Sequence, residues 1–151
     1  MTLTLPLLAA LTLVAAIWDL RTRKIPNELV FLGLAAGLAA GTAAGGLLGF
    51  GHALLGAMVG LCILLFPWTR GWMGGGDVKL VAACGALMGW KGVIGLILVG
   101  TALHGFLTLV VVIAAKIRKT ETDGAPFAPA VAAAVLVLAV SRPALLSPLA
   151  V

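Results

Sequence analysis

Residues 3–41, LTLPLLAALTLVAAIWDLRTRKIPNELVFLGLAAGLAAG, decide the fold. An apolar run reaches Trp18, a basic cluster of Arg21, Arg23 and Lys24 interrupts it, and a second apolar run opens at Glu28, just past Pro26 and Asn27. Runs of this length approach the roughly 20 residues a helix needs to cross a bilayer. The rest of the chain keeps the same character. Of its 151 residues 62% are hydrophobic and only 10% charged, and the mean hydropathy is +1.21. Soluble domains carry about 25% charged residues, so there are too few polar groups here to cover a water-facing surface. Disorder is excluded by the same figures, since disordered chains are apolar-poor and charge-rich. Two cysteines, Cys62 and Cys84, are too few for a disulfide scaffold or a zinc ribbon. The expected fold is all-α, a single polytopic transmembrane unit over residues 1–151 with no separate soluble catalytic domain.

Apolar runs divided by charge and turn signals predict six transmembrane helices, over Leu3–Trp18, Glu28–Leu48, His52–Trp68, Asp77–Trp90, Val93–Ala115 and Phe127–Val140. The basic residues set their direction. Arg21, Arg23, Lys24, Arg70, Lys79, Lys116, Arg118 and Lys119 fall on one side of that plan, and only Lys91 and Arg142 on the other. The excess marks the cytoplasmic face and puts both termini on the outer face. The net charge of +5 is thus a topology signal, and nucleic acid is not an expected partner. The first helix has no basic residue ahead of its apolar core, unlike a cleaved signal peptide, and is expected to be retained. Trp18, Trp68, Trp72 and Trp90 fall near helix ends, as interfacial aromatics do. Gly33, Gly37, Gly41, Gly45 and Gly49 recur every fourth residue, and Gly56 and Gly60 repeat the spacing, which suits close helix packing in lipid. No internal repeat with matching residues is visible.

Five acidic residues carry the functional argument. Glu121 and Asp123 belong to a basic, solvated loop, and Glu28 suits the positive end of the second helix. Asp19 and Asp77 differ. Asp19 closes the first helix and Asp77 opens the fourth after Gly74, Gly75 and Gly76, both on the expected cytoplasmic side. The stretch from Asp77 to Trp90 is 14 residues, about 21 Å of helix. Measured against a hydrocarbon core of about 30 Å, this puts the acid inside the inner interface, in a wet pocket of the protein. Ionisable groups at that depth are expensive and mark function. The three glycines suggest irregular backbone beside a cavity and open access for a peptide backbone. Two convergent carboxyls hydrolyse a peptide when one takes a proton from water and the other, protonated, donates to the carbonyl oxygen; close carboxyls share one proton. The bland reading is a pair of buried salt bridges, Asp19 with an arginine and Asp77 with Lys79. On residue types alone the two readings weigh equally.

Two motifs separate them. W-D-L-R-T-R-K-I-P-N, containing Asp19, Arg23, Ile25, Pro26 and Asn27, resembles the first aspartate motif of the type IV prepilin peptidases, and G-G-G-D-V-K-L, containing Gly74, Gly76, Asp77, Lys79 and Leu80, resembles their G-x-G-D motif. Pro126-Phe-Ala-Pro129 resembles a third family feature, P-x-G-P, with Ala128 in place of the glycine. The resemblance implies a membrane aspartic endopeptidase of the bacterial inner membrane that removes short basic leaders from prepilins and pseudopilins at the cytoplasmic face. It implies Asp19 and Asp77 as the catalytic pair, with Gly74, Gly75, Gly76, Lys79, Arg23, Pro26 and Asn27 shaping the site. Pro26 and Asn27 would fix the turn between the first two helices and Lys79 would support the acids. No cofactor and no metal is expected. Long family members carry an N-terminal cytoplasmic region with paired C-x-x-C motifs and also methylate the new terminus. This sequence starts at the first helix and resembles the short form of tight-adherence (Flp-type) pilus systems, so methyl transfer is not expected.

The remaining candidates are weak. Cys62 and Cys84 lack metal-site spacing and read as packing thiols. His104 lies within the fifth helix, where a packed, hydrogen-bonded ring is the expected state, and His52 lies near the outer interface. Ser141 and Ser147 lack a basic partner, which argues against a serine protease. Three competing functions remain: a proton-coupled transporter, a non-catalytic membrane chaperone of pilus assembly in which the acids bind a basic segment, and a structural subunit of a pilus assembly platform in which the acids are functionally silent.

Overall fold

Every residue from Leu80 to Gly89 is buried. A helix that is apolar on all sides belongs inside a bundle, and this segment forms its axis. The computed structural model describes residues 4–118 and 127–141. Four helices occur there, α1 Thr4–Thr22, α2 Asn27–Thr69, α3 Gly75–Arg118 and α4 Ala128–Ser141, and among the described residues there is no strand. Leu3, Lys119, Glu121, Asp123, Pro126, Arg142 and Ser147, and with them both chain ends and residues 119–126 of the expected fifth loop, lie outside the described residues, whereas residues 116–118 continue α3.

Two of these helices are folded on themselves. In α2, Gly45 (φ −145°, ψ 18°) and Gly46 (φ 58°, ψ −137°) leave helical geometry, and in α3 Gly89 does so (φ 73°, ψ 177°). A methyl group built on Gly41 would stand 2.7 Å from the carbonyl oxygen of Gly49 and 2.9 Å from Cβ of Ala53. A straight helix would separate Gly41 from Ala53 by about 18 Å, so α2 reverses at Gly45–Gly46. The same test applies to α3. A methyl on Gly60 would stand 3.0 Å from both the Val81 carbonyl oxygen and Cγ2 of Val93, so residues 81 and 93 lie at one level and the chain reverses at Gly89. Gly46 and Gly89 adopt positive φ, which glycine reaches without steric cost.

The limb 75–88 is thus flanked by both limbs of α2. Gly33 and Gly37 approach Ala83 and Ala86, while Gly56 meets Gly85 and Gly89 backbone to backbone. α1 packs mainly on α4, and α4 also on α3. Leu8, Leu80, Leu87, Met88, Leu96, Val131 and Val135 are the large side chains of the common core. Leu47, Leu48, Phe31, Leu32, Phe106, Ile117 and Val140 lie exposed around the outside, as expected for a surface that meets lipid.

α1, α2 and residues Gly75–Ile117 of α3 are long and apolar enough to cross a membrane, which is compatible with a polytopic membrane protein. α4, with 14 residues, is shorter, about 21 Å against a core of about 30 Å. The sequence reading differs from the structure at the breaks. It places loops between Leu48 and His52 and between Trp90 and Val93. The chain stays helical through both stretches and turns instead at Gly45–Gly46 and Gly89, without any loop residues. Gly45, expected in the packing ridge, is one of the break residues.

Candidate functional site

At one end of the bundle the finish of α1, the start of α2 and the start of α3 enclose a cavity of about 370 Å³. Asp19, Arg23, Lys24, Ile25, Asn27, Gly74, Gly75, Gly76 and Asp77 line it. The two acids, far apart in the chain, therefore face one space.

α1 ends by a left-handed residue. Arg23 has φ 51°, uncommon for a residue with a side chain, and its N–H donates to the Asp19 carbonyl oxygen at 2.9 Å. The chain then runs extended through Pro26 (φ −60°, ψ 135°), which stands at the N-cap of α2. Pro26 has no N–H to leave unpaired and a fixed φ that suits this position. Asn27 opens α2, but its side chain does not cap its own helix. Its Oδ1 accepts from Nζ of Lys79 at 3.0 Å and so ties the start of α2 to the first turns of α3. Lys79 is occupied by Asn27, and the salt bridge with Asp77 considered from the sequence is not the arrangement found.

Asp77 sits in the first turn of α3 and reaches back to its start. Oδ2 accepts from the Gly74 N–H at 3.2 Å, while the Asp77 N–H donates to the Gly74 carbonyl oxygen at 3.2 Å. This is one half of a capping box, in which the third helical residue returns to the N-cap. The three glycines before it serve by size. Gly75 and Gly76 are helical, Gly74 stands just outside the helix, and none of the three has a positive φ, so irregular backbone among them is confined to Gly74. A methyl on Gly74 would stand 3.2 Å from Oδ2 of Asp77, on Gly75 3.2 Å from Nε1 of Trp68, and on Gly76 3.3 Å from Cβ of Ile25. The preceding turn is held by Gly71 (φ 72°), by the Trp72 N–H donating to the Pro67 carbonyl at 3.0 Å, and by Trp72 meeting Phe66 edge to face at 6.2 Å.

Asp19 is 6% exposed, one of few polar side chains in the core. Its Oδ2 accepts from the backbone N–H of Ala128, at 3.0 Å. The start of α4 thus reaches the site, a contact the sequence reading does not include. The only trace in the sequence is the proline-flanked Phe127-Ala128 pair before the last apolar run. The carboxylate satisfies one of the free N–H groups of that helix end and lies where the helix dipole is positive. Phe127 in turn meets the ring of His104 at 5.1 Å between centroids. Among the described residues, no three His, Cys, Asp or Glu side chains gather in a metal-binding group. Cys84 is buried in the core and Cys62 exposed.

Chemically the arrangement offers two carboxyls on one cavity, with Arg23 and Lys24 and the backbone of three glycines also lining it. A family model described as "Type IV leader peptidase family" matches residues 6–109, a stretch that contains both acids and all three cavity glycines. No curated protein and no solved structure matches the chain.

Proposed function

This chain belongs to the type IV leader peptidase family, and on that premise we propose that it is a prepilin peptidase whose hydrolytic pair is Asp19 and Asp77. The observation that carries the reading is the shared cavity: the two acids come from different helices, and both line it beside Gly74, Gly75 and Gly76. In the proposed reaction one carboxylate takes a proton from a water between them, and the other, protonated, donates to the scissile carbonyl oxygen. Neither step needs a metal or cofactor. The substrate is a prepilin or pseudopilin, whose apolar helix stays in lipid while its basic leader enters the cavity. Gly74, Gly75 and Gly76 leave room for the substrate backbone. Asn27 and Lys79 hold two helix starts together, and Arg23 and Pro26 shape the rim. Incubation of the purified protein with candidate prepilins, followed by mass determination of the new N-terminus, is expected to show one cut that removes the basic leader. Intact substrate in every case would reject the assignment.

The topology is part of the same proposal. The six helical segments, 4–22, 27–44, 47–69, 75–88, 90–118 and 128–141, each traverse the bilayer of the bacterial inner membrane, with both termini outside. Arg21, Arg23, Lys24, Arg70 and Lys79 gather at the cavity end while Lys91 lies past the Gly89 reversal at the other. The positive-inside rule then supports a cytoplasmic cavity. With Cys62 and Cys84 replaced, single cysteines at Thr22 and Thr69 should react with impermeant thiol reagents only from the cytoplasmic side, and one at the exposed Leu47 only from outside. The opposite pattern would overturn the orientation.

A further inference from the structure

We propose that His104 is a positioning residue for Asp19, acting through the ring of Phe127 and the backbone N–H of Ala128. The inference rests on the reading of Asp19 as a member of the hydrolytic pair. It starts from a polar side chain the reaction does not use. His104 stands on the limb 90–118, and its Nδ1 is buried with no hydrogen-bond partner. Its Nε2 lies 3.5 Å from Oγ1 of Thr108, at the limit of a hydrogen bond. What the ring does have is Phe127, at 5.1 Å between centroids and 68° between planes. That is a favoured edge-to-face geometry for aromatic rings.

Phe127 is the residue on which α4 starts. Its carbonyl oxygen accepts from the N–H groups of Ala130 at 3.0 Å and Val131 at 3.2 Å, so a shift of Phe127 moves the first turn of the helix. Ala128, fully buried, spends its N–H on Oδ2 of Asp19 at 3.0 Å. Three segments remote in sequence are linked in this way: the imidazole fixes the phenyl ring, the phenyl ring fixes the helix start, and the helix start fixes one oxygen of the acid. The acid held in this way is one that lines the cavity. A tie to Oδ2 thereby sets the rotation of the carboxyl plane on which proton transfer depends. An imidazole that merely filled space would be replaceable by any apolar group of its size; one that works through ring contact is replaceable only by another ring.

The test uses the full chain in detergent or liposomes with the prepilin it cleaves. His104→Leu keeps bulk and loses the ring; His104→Phe keeps the ring. Ala128→Pro deletes the N–H at the first helical position, where proline is tolerated. His104→Leu and Ala128→Pro are each expected to lower kcat by about 10- to 100-fold with KM little changed, the size of effect that misplacing a reacting group produces. His104→Phe is expected to restore most of the rate, and the two slow changes combined to be no slower than either alone, because they break one link. Wild-type kcat in His104→Leu, no rescue by His104→Phe, or additive losses would each overturn the proposal. If His104→Leu does not insert, His104→Met takes its place as the variant without a ring, and the same outcomes decide for and against. Asp19→Asn run alongside keeps the two readings apart. Full activity there removes the hydrolytic pair itself, whereas its loss together with indifference to His104 removes only the positioning role.

Discussion

Asp19→Asn and Asp77→Asn are each expected to leave the protein inserted and folded while lowering prepilin cleavage by about 10²- to 10⁴-fold, the usual contribution of a positioned acid or base. The structure explains why folding should survive. An asparagine at position 77 still presents a carbonyl oxygen to the Gly74 N–H, so the start of α3 keeps its cap. One at position 19 still presents an oxygen to the Ala128 N–H. What each change removes is the capacity to gain or lose a proton at the cavity. The double variant is expected to be no worse than the worse single one, because two groups that work as a unit fail together. Asp77→Ala makes the contrast: with the bond to the Gly74 N–H gone as well, the helix start should lose about 0.5–1.5 kcal/mol, visible as a lower thermal midpoint that Asp77→Asn does not show. Cleavage at the wild-type rate by both asparagine variants would end the two-carboxylate mechanism.

The acids were legible in the sequence for a physical reason. A chain with 10% charged residues places few acids near lipid, and two of them stood at helix ends beside turn signals. The helical runs were legible on the same ground, since apolar stretches of that length allow little else. The reversals were not. Glycine occurs at 41, 45, 46, 49 and 51, and spacing alone does not say which takes the positive φ. That choice follows from which backbones pack after the turn, and Gly41 against Gly49 selects Gly45–Gly46. Likewise Lys91 suggested a loop because it is charged, but the break is set one turn-capable residue earlier, at Gly89. Gly74, Gly75 and Gly76 stood out in the sequence beside Asp77, but spacing could not say that Gly75 and Gly76 fall inside the helix start and give room there to Trp68 and Ile25. The contact of α4 with Asp19 had no side-chain signature because the donor is a backbone N–H, which any residue but proline carries.

Gly56→Ala is expected to cost about 1–3 kcal/mol of stability, whereas Gly51→Ala, a change of the same kind five residues away, should be neutral or gain up to about 1 kcal/mol. The difference lies in what a methyl group would meet. At Gly51 nothing lies within 4 Å. At Gly56 the methyl would overlap the carbonyl oxygen of Gly85 and stand 2.7 Å from the Gly89 carbonyl carbon and 2.8 Å from its Cα. All three are backbone atoms, so no rotamer relieves the clash, and the limbs 47–69 and 75–88 must move apart. The limb that moves carries Asp77 on its first turn. A displacement of about 1 Å at a reacting group costs up to about 10²-fold in rate, so Gly56→Ala should slow cleavage as well as lower the midpoint of a denaturant titration in mixed micelles. Gly51→Ala should do neither. Equal stability of the two variants would mean that these limbs do not meet backbone to backbone, and with that the placement of the central limb, and of Asp77 opposite Asp19, would lose its packing argument.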